Sequence, residues 1–264
     1  MGSPFLVVDS PRIVCVCDPG RAVTRVVLRG RWDGGLRQEA SLVLRACVAE
    51  APRLLVVDLA RVQDPAGESV STWLTVARYA MQADSPVMVV LAAAPPMVRQ
   101  RISVRDGDPA MMLTDTADRA LAALTSLDDR IRQRHMALPG QSHMAGASAR
   151  AMVGDICLDF GVAPLVQPAR LIMSELVTNA VRHAGTELDV WVSLRGAALH
   201  LAVQDRSRAF PRLLDHGHRY RARLPESGMG LRVVAATATG WGALPCQHGK
   251  VVWAILAAGA GVAT

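Results

Sequence analysis

Glu175 and Asn179 stand four residues apart in the stretch SELVTNAVRHAG at 174–185. On a helix that spacing puts both on one face. Leu176, Val177, Ala180 and Val181 supply an apolar stripe, so the pair lies at the edge of a buried face. A carboxylate there can orient an attacking hydroxyl or water, or take its proton. An amide carbonyl beside it suits Mg2+, which prefers hard oxygen ligands. A solvent-facing Glu–Asn pair on an ordinary amphipathic helix has the same spacing, so the pair alone does not decide.

Two later features bear on it. The apolar run ALHLAVQD ends in Asp205, an acid placed where a strand leaves its sheet. Such a carboxylate can accept from an exocyclic amine such as that of adenine, or can simply start a turn. Farther on, ESGMGL at 226–231 places Gly228 and Gly230 at the head of a helix. Glycines there admit a ligand close to the backbone, and the free N–H groups of a helix N-terminus suit phosphate. Each signal is weak by itself. Their order, a Glu-x-x-x-Asn helix, a hairpin ending in Asp, a loop and then Gly-x-Gly-Leu, is more specific.

These residues need elements to position them. GASARAMVGDICLDFGV (146–162) has helical spacing, and the next helix runs from near Pro168 to Gly185, a proline-start, glycine-stop pattern. LDVWVSL (188–194) and ALHLAVQD (198–205) alternate and form a hairpin. GMGLRVVAATATG (228–240) reads as a glycine-led helix and GKVVWAIL (249–256) as a closing strand. The second half is therefore an α+β two-layer sandwich. The first half alternates instead. TRVVLRG (24–30), RLLVVDL (53–59) and PVMVVLA (86–92) read as strands, the latter two as runs buried on both faces. Helical patterns at 36–50, 68–82, 95–102 and 115–124 separate or follow them, the last with Thr114 or Asp115 as cap. This is an α/β domain with a mixed or parallel sheet. A polar joint at 126–146, charged and then rich in Gly, Ser and Pro, separates the halves; its first part reads as a short helix.

Composition narrows the classes. The chain has 264 residues, 51% hydrophobic and 4% aromatic, enough for two aliphatic cores and too apolar for a disordered protein. No apolar run reaches bilayer length and the N-terminus lacks a secretory pattern, so a cytoplasmic protein without a membrane segment is expected. The net charge is +6, carried by arginine except for Lys250, the only lysine. The basic residues are scattered, without aromatic interleaving or zinc-finger spacing, so no direct nucleic-acid contact is expected. Five cysteines without a C-x-x-C read as reduced, mostly buried thiols.

The second half resembles the GHKL (HATPase, Bergerat-fold) ATP-binding superfamily, and within it the anti-sigma-factor serine kinases of bacteria, the actinobacterial branch above all. SELVTNAVRHAG is similar to that branch's N-box, VQDRSRAFP stands in the position of its G1 box, and GMGL matches its G2 box. The resemblance implies ATP and Mg2+ as cofactors. It implies Glu175 as catalytic base, Asn179 as Mg2+ ligand, Asp205 as reader of the adenine amine with Ser207 beside it, and Gly228, Met229, Gly230 and Leu231 around the phosphates. The usual G1 pattern is Asp-x-Gly-x-Gly; here Ser207 and Ala209 stand where the glycines would be. The loop between the boxes would be an ATP lid, with Arg206, Arg208, Arg212, Arg219, Arg221 and Arg223 and with His216 and His218.

The first half resembles a STAS domain, the fold of anti-sigma-factor antagonists, over VVLRGRWDGG (26–35), LLVVDLARVQDPAGESV (54–70) and TDTADRALAAL (114–124). In antagonists the corresponding loop reads Asp-Ser-Ser-Gly and a serine is phosphorylated. Here Asp64, Pro65, Ala66 and Gly67 occupy it, and Ala66 has no hydroxyl. The resemblance gives a STAS-like domain over 1–125, a linker over 126–145 and a GHKL domain over 146–264. It implies a partner-switching regulator: an anti-sigma factor and ATP-dependent protein serine kinase acting on an antagonist STAS protein. A weakly catalytic ATP-binding docking module is the alternative. The expected partners are a sigma factor, an antagonist STAS protein or both, with a second copy of the chain (a homodimer) as a further candidate. A histidine kinase would need a phosphoacceptor on a helix pair, for which only His135 stands in the right region.

Overall fold

The computed structural model describes residues 4–103, 111–123, 132–140, 142, 144–210 and 229–257. The chain forms two compact units. One comprises Val7–Ile131 with Leu244–Gln247, the other Met1–Leu6, Arg132–Ala243 and His248–Thr264. The short strand β1 (Phe5–Leu6) opens the chain within the latter.

In the unit built mainly from the first half, β2 (Ile13–Asp18), β3 (Val23–Arg31), α1 (Gly34–Ala49), β4 (Leu54–Gln63), α2 (Val70–Met81), β5 (Met88–Ala92), α3 (Pro96–Ser103), β6 (Met111–Thr114) and α4 (Ala117–Ala123) follow in order. The strands lie in the order β6-β5-β4-β3-β2. β2 runs antiparallel to β3 and the other pairs are parallel, so the sheet is mixed. Parallel strands need crossovers, and helices supply them. Leu54 through Leu59 of β4 are buried without a break, as the continuous apolar run requires. Asp33 caps α1 by accepting from the Leu36 N–H at 2.7 Å. At α4 the cap is Thr116, whose hydroxyl accepts from the Arg119 N–H at 3.2 Å, rather than Thr114 or Asp115. Asp115 instead pairs with Arg99 and Arg119. All five cysteines are buried and free, with Cys15 and Cys47 Sγ 3.7 Å apart.

The second unit contains β7 (Arg132–Leu138), α5 (Ala145–Asp159), α6 (Val166–His183), β8 (Leu188–Arg195), β9 (Ala198–Asp205), α7 (Met229–Thr237), β10 (Gly240–Cys246, of which Gly240–Ala243 belong here) and β11 (Gly249–Ala257). The order is β10-β11-β9-β8-β7, with β1 parallel on β10. β7, β8, β9 and β11 are antiparallel neighbours. Helices α5 and α6 pack on the sheet and α7 packs on α6, a two-layer α+β arrangement. The core between the layers is aliphatic, with Ile172, Leu176, Val190 and Leu201 at its centre. Gly185, at φ +61°, ends α6 and returns its N–H to the Ala180 carbonyl.

The structure departs from the sequence reading at β7. The stretch RQRHMAL is a strand, not a short helix, because its N–H and C=O groups pair with β8 and because Met136 and Leu138, two apart, both reach the core. His135 sits on that strand, its Nε2 2.7 Å from Asp189 and its ring stacked 4.0 Å from that of Trp191. The helix that a histidine-kinase reading requires is therefore not there. β10 was not foreseen either; PC and paired glycines mask its strand character.

Helix α6 carries one fully buried and one exposed leucine five residues apart, Leu176 at 1% and Leu171 at 45%. Leu176→Ala should cost about 3 kcal/mol and Leu171→Ala no more than about 0.5 kcal/mol. Chemical denaturation monitored by far-UV circular dichroism measures both; equal losses would mean that α6 buries a different face.

Candidate functional site

The apolar stripe of α6 turns Ile172, Leu176 and Ala180 into the core, which leaves Glu175 and Asn179 half-buried at its margin. Facing that margin is the first turn of α7. A Cβ built on Gly230 would collide with Glu175 Oε2 and lie 3.3 Å from its Cδ, so the carboxylate rests against the backbone of that turn. Glycine makes the approach feasible, and the unpaired N–H groups of a helix start favour a carboxylate there. Sequence positions 175 and 230, far apart in the chain, thus share one site. Leu231 is 5% exposed and its side chain belongs to the core, so it seats α7. Gly228 lies outside the described residues, as does the side chain of Met229.

Asp205 ends β9 and is 2% exposed. Antiparallel register places Lys250 of β11 directly opposite it. The ammonium of Lys250 donates to Oδ1 and pairs with Oδ2, both at 2.8 Å, with the two side chains 4% and 1% exposed. It also reaches the Ser207 carbonyl at 3.4 Å. The Ser207 N–H donates to Asp205 Oδ1 at 2.8 Å, and the Ala209 N–H donates to the Ser207 hydroxyl at 3.2 Å. These are two successive side-chain turns. Neither Ser207 nor Ala209 has a positive φ, so the residues standing in place of glycine adopt their conformation without strain. Burial raises the Asp205 carboxyl above its ordinary range; the Lys250 hydrogen bond and charge, and the Ser207 N–H, oppose it. Gly249, at φ +134°, starts β11 so close to β9 that a Cβ would collide with the Asp205 carbonyl.

Comparison with known proteins bears on this unit. Residues 166–260, over a third of the chain, match the family described as histidine kinase-, DNA gyrase B-, and HSP90-like ATPase. These residues form an ATPase domain of that family. The match begins at α6 and spans Glu175, Asn179, Asp205, Gly230 and Lys250. No curated protein matches the chain significantly. Among solved structures, an anti-sigma factor antagonist from Mycobacterium paratuberculosis is similar at 22% identity, over 45% of this chain and 99% of that one, with a TM-score of 0.36.

Within the ATPase domain the remaining expected residues divide. Arg206 pairs with Glu187 at 2.7 Å, and its N–H donates to the Thr186 hydroxyl at 3.1 Å. Arg208 is exposed. Arg212, His216, His218, Arg219, Arg221 and Arg223 lie outside the described residues. His183 and Arg182, at the end of α6, are both exposed. Lys250 and Gly249 were missed as site residues. The signal was available, because a buried strand start in a chain with a single lysine is a costly place for that lysine.

In the other unit, the loop Asp64–Gly67 sits between β4 and α2. Asp64 is 3% exposed and ties down the turn that leads into α2, its two oxygens accepting from the Glu68 and Ser69 N–H groups at 2.9 Å each. Burial pushes its carboxyl up, but the Ser69 side chain and three backbone N–H groups outweigh that and hold it below the usual range. Ala66 is exposed, and Gly67 takes a left-handed φ of +65°. The Ser69 hydroxyl is buried and accepts from the Trp73 indole at 2.8 Å. Ser71 is exposed on the first turn of α2.

Two tests follow from these contacts. Ala ordinarily exceeds Gly in a helix by about 1 kcal/mol. In the Glu175→Ala background Gly230→Ala should show that gain; in the wild-type background the displaced Glu175 should cancel it, a coupling of about 1 kcal/mol in a double-mutant cycle. Additive effects would separate the two residues. Asp64→Ala should destabilise by about 1–2 kcal/mol at neutral pH. Because the folded carboxyl titrates below its unfolded value, that difference should persist above about pH 4 and vanish as pH falls through the folded value. A pH-independent difference in thermal midpoint would rule out the ionised carboxylate's hydrogen bonds as its source.

Proposed function

We propose that this chain is an ATP-binding regulator of the partner-switching type, an anti-sigma factor and protein serine kinase acting on an antagonist STAS protein. The observation that carries the reading is the placement of Glu175 against Gly230 inside an ATPase-family domain. The residues suit ATP. Asp205 is an acceptor at a strand end, Gly230 leaves the α7 backbone open to close approach, and Asn179 offers a hard oxygen beside Glu175. Magnesium held by Asn179 would neutralise charge on the triphosphate. Glu175 would orient the serine hydroxyl of the partner and accept its proton. The backbone N–H groups at the head of α7 would hold phosphate oxygens.

The first-half unit, with its resemblance to STAS domains, would then be a docking module. Its loop offers the Ala66 methyl where antagonists carry a hydroxyl, and the nearby Ser69 hydroxyl is buried. That surface would stay permanently in its unmodified state. The partners proposed are a sigma factor, an antagonist STAS protein or both. One observation favours a second reading, a nucleotide-ordered docking module without turnover: the segment after Asp205 is fixed by two side-chain turns where the kinases carry flexible glycines.

Incubation with γ-labelled ATP and a panel of antagonist STAS proteins separates the readings. Label should pass to a serine of the antagonist. Glu175→Ala should retain nucleotide and lose transfer by about 100-fold or more, and Asn179→Ala should lose both. Normal transfer by Glu175→Ala would remove the base assignment; nucleotide binding with no transfer by the wild type would leave the docking module.

A further inference from the structure

Asp205 has four acceptor positions when ionised. Oδ1 takes two donors, the Ser207 N–H and the Lys250 ammonium; Oδ2 faces the same ammonium as an ion pair at 2.8 Å. Among the described residues no donor other than Lys250 faces Oδ2, so acceptor capacity stays open on that oxygen. Lys250 in turn has partners at Oδ1, at Oδ2 and at the Ser207 carbonyl, so its donors are committed. The pair therefore presents to a ligand one anionic acceptor and no donor. That is a complement to one N–H of an amine, and a mismatch for a carbonyl oxygen.

Resting on the ATP reading above, we propose that Lys250 is the specificity-determining residue of the nucleotide site: by holding Asp205 ionised it makes the site accept 6-aminopurine nucleotides and reject 6-oxopurine nucleotides. Lys250 does not touch the base in this scheme; it acts through Asp205. Without the ammonium, burial would favour the protonated carboxyl. A protonated carboxyl carries an O–H donor, which pairs with a 6-oxo group and opposes a 6-amino group. Among the described residues no other neighbour supplies that charge. Leu188, opposite Asp205 on β8, is apolar, and the Arg206–Glu187 pair beside it is exposed and neutral in sum. Gly249 secures the arrangement, because any side chain there would push β11 away from β9.

The test compares ATP with ITP, which differ at the 6 position of the base, by calorimetric titration of the full chain. The wild type should prefer ATP by about tenfold or more, since a buried polar group facing the wrong partner is costly, and this ratio should be flat from about pH 6 to pH 8.5, where an ion-paired carboxylate stays charged. Lys250→Met should bring the ratio to about one or below near pH 6 and let it climb with pH as Asp205 ionises. Damage to the fold alone would weaken both nucleotides together. The doubly neutral Asp205→Asn/Lys250→Met variant, which buries no charge, should show a ratio near one with no pH dependence, because the amide can offer either a donor or an acceptor. An unchanged ATP preference in either variant, or a wild type that takes ITP as well as ATP, overturns the inference while the ATP reading stands. A wild type that binds neither nucleotide overturns both.

Discussion

The buried pair of Asp205 and Lys250 is the constraint around which the ATPase domain is arranged. Two opposite charges, nearly excluded from water, are tolerable only when geometry and hydrogen bonding are good. The antiparallel register of β9 and β11 delivers the geometry by setting the two residues directly opposite. Gly249 lets the strands come that close, and the Ser207 N–H fills a remaining acceptor. Shifting the register by one residue would send Lys250 to the opposite face of the sheet and leave Asp205 buried without a cation. The pair therefore also specifies which strand lies beside which, and that in turn fixes the platform on which α6 packs.

From that platform the other half of the site follows. α6 packs on β9 and β11 through its apolar stripe, which leaves Glu175 and Asn179 no place but the margin. α7 packs on α6 with Leu231 in the core, and Gly230, one residue earlier, brings backbone against the Glu175 carboxylate. Core packing of one residue thus positions the neighbour that touches the polar group. A substitution of Leu231 would disturb the site without contacting any ligand.

Much of this was legible beforehand. Strong periodicity identified α6, the β8–β9 hairpin and the buried strands β4 and β5, and of the polar residues Glu175 and Gly230 are brought together. What escaped was set by long-range partners. RQRHMAL has enough charge to read as a helix surface, and only pairing with β8 makes it a strand. β10 carries Gly240, Gly242 and Pro245, residues that normally interrupt strands, yet Gly242 is needed because a Cβ would collide with the Phe5 carbonyl of β1. Lys250 was visible as the only lysine, but its burial depends on a register that no local pattern encodes.

Asp64 and Asp205 show why residue type and topological place do not suffice to assign a role. Both are aspartates in the connection that follows a strand, or at its last residue, and both are nearly inaccessible to solvent. Around Asp64 the backbone N–H groups of the turn before α2 converge with the Ser69 side chain, and the carboxyl is held below its usual range. Its oxygens hold the turn that leads into α2, so it serves the fold. Around Asp205 one backbone N–H and one ammonium face a burial cost that they do not fully offset, and the carboxyl is held above its usual range. Acceptor capacity on Oδ2 stays open among the described residues, in a domain that matches an ATPase family. The difference lies in the partners each carboxylate finds: Asp64 is held by the turn that follows it, whereas Asp205 is held by a lysine from a strand distant in sequence.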